Sequence, residues 1–99
     1  MEIAVIDNAA ELRYEIRVEG ELGGVICYRR EPGVVVLVHT EIEPRFEGQG
    51  LGSRLVRGAL DDLRAHGQAV VPLCAFAAAF IVRHPEYADL VGADPADPE

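Results

Sequence analysis

The side-chain periodicity of this chain first changes at the glycine-rich segment EGQGLG, Glu47–Gly52. Before it, apolar residues alternate or gather in short β-branched runs. From Leu51 to Leu63 they recur every three to four positions. A period of two marks strands and a period near 3.6 marks helices. A chain that makes this change late, and across glycines, must lay down several strands before its first long helix.

The strands can be read individually. EIAVIDN is a short first strand. ELRYEIRVEG places Tyr14, Ile16 and Val18 on one face and Arg13, Glu15 and Arg17 on the other, which predicts a strand with one wet face. VEGELGG carries turn residues, and GGVICYRR is the hairpin partner, with Cys27 as a core position. REPG makes another turn. VVVLVHTEIE, Val34–Glu43, is β-branched and apolar on both faces in its first half, so it predicts a buried central strand.

After the glycines, Leu51, Leu55, Val56, Ala59, Leu60 and Leu63 share one helical stripe, with Arg54, Arg57, Asp61, Asp62 and Arg64 opposite. Gly67 stops that helix. QAVVPL is a short fifth strand. CAFAAAFIVRH is a second helix with Phe76, Ala77, Phe80 and Ile81 clustered, closed by Pro85. PEYADLV is a helical turn. The fold class expected is therefore α+β: an antiparallel four-stranded meander, a helix, a fifth strand parallel to the fourth, and a C-terminal helix. The chain of 99 residues has room for one domain, over 1–92, with an acidic tail at 93–99 expected to fray.

Composition narrows the function. A net charge of −8 argues against a nucleic-acid binder, which needs a basic footprint. No apolar run is long enough to cross a bilayer, neither helix has a basic polar face, and the acidic N-terminus does not read as a signal peptide. Cys27 and Cys74 have no metal-type spacing, so no metal is expected and both read as free thiols of a cytoplasmic protein.

Glycines between a strand and a helix let the backbone approach an anion, and the helix start supplies unpaired N–H groups. Gly48, Gly50 and Gly52 fit that role, and Arg45 adds charge. The pattern is neither a Walker loop, which needs Gly-Lys-Ser/Thr, nor a dinucleotide fingerprint, whose spacing differs. Close helix packing would also explain the glycines, and the triplet alone does not choose.

Three segments together do choose. EPRFEGQGLGSRLV resembles the R-x-x-G-x-G/A motif of the GNAT N-acetyltransferases, with Arg45, Gly48 and Gly50 at its fixed positions. With VHTE and VVPLC…AAFIVRHPEYADLV it is similar to the minimal, half-size members of that family, over about Glu11 to Val91. The resemblance implies an acetyltransferase that moves an acetyl group from acetyl-CoA to an amine. The loop of Arg45, Phe46, Glu47, Gly48, Gln49, Gly50, Leu51, Gly52 and Ser53 would take the CoA pyrophosphate, and the backbone of Ile42 and Glu43 would pair with the pantetheine arm. Arg83 would reach a CoA phosphate or simply cover a helix end. The chain lacks the family's helices between the first two strands and its last two strands, which usually shape the acceptor site. Ile81 stands where many members carry a tyrosine acid. The alternative is thus a non-catalytic module that binds CoA or acyl-CoA. A second copy completing the acceptor wall would make it a homodimer rather than a monomer. There is no lysine for a reactive acyl donor to modify.

Topology adds catalytic candidates. The phosphate loop leaves the tip of strand four and Cys74 leaves the tip of the parallel strand five, so the two should be neighbours. Cys74 opens a helix, a setting that favours a thiolate. It would be a nucleophile, an acid for the departing thiolate, or a packed core residue. His39 and Glu41 share a strand face and are candidates for the base that deprotonates the amine.

Overall fold

The computed structural model describes residues 2–95. Five strands lie in the sheet in sequence order: β1 (Ile3–Asn8), β2 (Arg13–Val18), β3 (Glu21–Glu31), β4 (Val34–Ile42) and β5 (Ala69–Pro72). The first four are antiparallel, and β5 runs parallel to β4. Helix α1 (Leu51–Ala65) joins β4 to β5, and α2 (Ala75–Arg83) follows β5. The meander, the crossover helix and the parallel fifth strand are as the periodicity predicts.

Both helices pack on one face of the sheet. The apolar stripe of α1 is buried from Leu51 to Leu63, against Tyr14, Ile16, Ile26, Tyr28, Val35 and Leu37. Helix α2 adds Ala77, Phe80 and Ile81. Phe76, expected among them, is instead 41 % exposed, because its ring lies over the first turn of α1. The RHPEYADLV segment is a lock between the helices. His84 stacks on Phe80 at 4.0 Å, the Tyr87 hydroxyl donates to Asp61 at 2.6 Å, and Arg64 pairs with Asp89.

The other sheet face carries a smaller cluster of Val34, Val36 and Val71. The chain after Val91 returns toward it. The Gly92 N–H donates to the Val70 carbonyl, and Asp94 pairs with Arg29 at 2.6 Å. Of the acidic tail expected to fray, positions 96–99 lie outside the described residues.

The expected wet face of β2 is not wet throughout. Glu15 is 1 % exposed and is held by Asn8, Arg13 and Arg17 at 2.7–2.9 Å. The hydrogen bonds from Asn8 and Arg17 outweigh burial and hold its carboxyl down to about 2. Cys27 is likewise not a core residue. It is half-buried on the face away from the helices, opposite His39.

One irregularity decides what faces what. Cys27 opposes His39, but Tyr28 opposes Leu37, which leaves Val38 as an extra residue in β4. Such a bulge reverses the alternation beyond it. Leu37, before it, faces the helices with Tyr28. After it Thr40 and Ile42 face the helices, opposite Ile26 and Gly24, while His39 and Glu41 face away.

Candidate active site

The last ladder pair between β4 and β5 joins Leu37 to Pro72, and beyond it the Cys74 N–H donates to the Leu37 carbonyl at 2.9 Å. Then the strands part. β4 runs on to Ile42 beside β3 alone, which leaves a cleft with Cys74 at its apex. The Glu43 N–H bonds to the Gly23 carbonyl at 2.8 Å, which fixes the hydrogen-bonding phase of β4. By antiparallel alternation, the N–H and C=O of Ile42 and Thr40 point away from β3, into the cleft. The backbone of Ile42 and Thr40 is thus open to the cleft, whereas the amide of Glu43 is engaged by Gly23.

Above the cleft lies the glycine turn. A recess of about 320 Å³ is lined by Ile42, Phe46, Glu47, Gly48, Gly50, Leu51, Gly52, Ser53 and Phe76. Gly48 and Gly50 have φ of +82° and +75°, a region that side chains disfavour, with open space where a Cβ would stand. Gly52 is there for a different reason. A Cβ would sit 2.7 Å from the Phe76 ring. The three glycines thus divide into two that shape the backbone and one that admits an aromatic side chain.

Gly50 caps α1 without any side-chain hydrogen bond, and the first turn carries no acidic residue. The first amide of this helix with a protein acceptor is that of Arg54, bonded to the Gly50 carbonyl at 3.3 Å. Among the described residues, the amides of 48–53 bond to no protein group. A helix start of this kind, preceded by two positive-φ glycines, presents unpaired donors and a partial positive charge to an anion.

The remaining candidates are spread out. Arg45 stands beside the turn, but its guanidinium pairs with Glu21 at 2.7 Å and lies over the Phe46 ring. An exposed pair of this type is weak and easily exchanged for a ligand. The Gln49 side chain donates to the Arg45 carbonyl at 3.5 Å. Arg83 lies exposed at the far end of α2, about 12 Å along the helix from Ala75.

The catalytic candidates divide between two faces. His39 Nε2 and Glu41 Oε2 are 3.2 Å apart, both exposed, on the face away from the helices. Cys74 is 8 % exposed, on the other side, with its Sγ 3.0 Å from the Thr40 hydroxyl. A group lodged between the parted strands would have the thiol on one side and the His39–Glu41 pair on the other. Among the described residues, no group of three His, Cys, Asp or Glu side chains is gathered to hold a metal, and no helix is long and apolar enough to cross a membrane.

Sequence reasoning missed Thr40 and Phe76. The bulge that aims Thr40 leaves no mark on a β-branched run. The signal for Phe76 was Gly52, a glycine on the buried stripe of a helix, which indicates a large neighbour.

Comparison with known proteins agrees with the fold. The structure resembles that of a GCN5-like protein from Staphylococcus aureus solved by NMR, with a TM-score of 0.66 over 96 % of this chain and 92 % of that one. At 22 % identity the likeness is one of fold. No curated protein matches the sequence. A family model for GCN5-related N-acetyl-transferases matches residues 13–90, from the start of β2 through the Pro85–Leu90 turn. The chain belongs to the GCN5-related N-acetyltransferase family.

Proposed function

We propose that this protein is a cytoplasmic enzyme that transfers the acetyl group of acetyl-CoA to a substrate amine. One observation carries the reading: residues 48–53, whose amides bond to no protein group among the described residues, border a recess that reaches Ile42 at the end of β4, beyond the point where β4 and β5 stop pairing. An anion cradle joined to a slot edged by free strand backbone suits a ligand with a diphosphate and an amide-bearing arm. The pyrophosphate would rest on the amides of Gly48 to Ser53. The pantetheine amides would pair with the backbone of Thr40 and Ile42, and the thioester would lie near Cys74.

The chemistry then follows from the two faces. The amine approaches from the side of His39 and Glu41, which take its proton, and attacks the acetyl carbonyl. Strand N–H groups pointing into the cleft stabilise the developing oxyanion. The carbon–sulfur bond breaks, and Cys74 gives its proton to the CoA thiolate from the opposite side. The acid that Ile81 cannot supply is thereby replaced from the start of the same helix.

The test is consumption of acetyl-CoA against a panel of primary amines, beside a thermal-shift titration with CoA. The reading requires a CoA-dependent rise in melting temperature and turnover with at least one amine. A rise with no turnover for any amine would make the chain a CoA-holding module. No rise would remove the ligand altogether.

A further inference from the structure

We infer that Thr40 is a positioning residue for Cys74, and that the Val38 bulge exists to bring the two together. The inference rests on the acetyl-transfer reading above. Thr40 Oγ1 lies 3.0 Å from Cys74 Sγ, and no other side chain among the described residues hydrogen-bonds that sulfur. The contact links residues 34 positions apart across the apex of the cleft. The backbone of Cys74 is fixed independently by its N–H bond to Leu37.

Register shows what the bulge contributes. Without Val38 as an extra residue, alternation from Leu37 would carry His39 and Glu41 to the helix face, and Thr40 would point away from the thiol. With it, a small hydroxyl meets the sulfur and the titratable pair is sent to the opposite face. A side chain is being re-aimed beside a cleft, which is a recurrent use of bulges.

A hydroxyl suits a sulfur that gains and loses a proton, because it both donates and accepts. When Cys74 is a thiol, its S–H can point to Oγ1. When the proton has passed to the departing CoA sulfur, the Thr40 O–H turns to donate to the thiolate. The proton leaves one sulfur for another, and the hydroxyl keeps its own throughout. Solvent then returns a proton to Cys74. Valine has nearly the same shape and can do neither.

The test is a thiolate titration by absorbance near 240 nm in a Cys27→Ser background, where Cys74 alone reports. The chain has three tyrosines and no tryptophan. Burial foremost pushes all three phenols upward, Tyr28 to about 12, so phenolate absorbance stays clear of the thiolate transition. Thr40→Val should move the midpoint up by about one pH unit, a tenfold loss of thiolate at a given pH. It should lower kcat about tenfold while leaving the KM for acetyl-CoA within about twofold. Thr40→Ser should restore both. An unchanged midpoint in a folded Thr40→Val protein, checked by circular dichroism, would overturn the inference. So would failure of Thr40→Ser to restore it. If the parent protein turns over no amine, acetyl transfer fails as a reading, yet the titration still decides the Thr40–Cys74 contact.

Discussion

Gly50 and Gly52 stand two residues apart and answer to different physics. Gly50 is held at φ +75° with open space where a side chain would begin, so Gly50→Ala should cost about 1 kcal/mol by urea unfolding. Gly52 has ordinary backbone but no room. Gly52→Ala should displace the half-exposed Phe76 ring, with little loss of stability but several-fold weaker CoA binding, read by thermal shift. At Cys74 the acid reading predicts that Cys74→Ser slows turnover about 100-fold. It also predicts no burst of free CoA when the native protein meets acetyl-CoA without an amine. A burst, or an acetylated Cys74 peptide in mass spectrometry, would make the sulfur a nucleophile instead. The glycines were visible in the sequence because spacing and a period change point to them. Thr40 was not, because its importance depends on which way an extra residue turns the strand.

The order and type of the elements could be read from periodicity because each buries one face against a neighbour with the matching repeat. The helical stripe Leu51 to Leu63 and the Val34–Leu37 run are the plainest cases. The bulge in β4 was not legible: VLVHTEI is a credible strand in either phase. The RHPEYADLV segment was visible as a motif, but its work as a lock was not, since Asp61 reads as a solvated residue, whereas the Tyr87 hydroxyl donates to it at 2.6 Å. Tyr87→Phe should therefore cost about 1 kcal/mol in urea unfolding and raise hydrogen exchange over 85–90 more than in the sheet.

For the whole molecule, acid sensitivity has an identifiable source. The folded carboxyl of Glu15 is held near 2 against an ordinary 4.5, so the unfolded chain binds its proton first as pH falls. The stabilisation is present in full above pH 4.5 and is lost between there and pH 2. The two arginines are about one-third exposed, so solvent screens the cluster and the contribution is of the order of 1–2 kcal/mol. Glu15→Gln should be less stable at pH 7 and should lose less stability than the native protein on acidification from pH 5 to pH 2. Alternation gave Glu15 its correct face but could not show its burial, which depends on Asn8 reaching across from β1.

All these levels meet in the turn above the cleft, where the amides at the start of α1 bond to no protein group among the described residues. Isothermal titration of coenzyme A into the native protein and into Gly50→Val examines that turn most directly. The account predicts saturable binding to the native chain and at least tenfold weaker binding to a variant that remains folded. Absence of binding at millimolar coenzyme A, or equal affinity for both proteins, would contradict it.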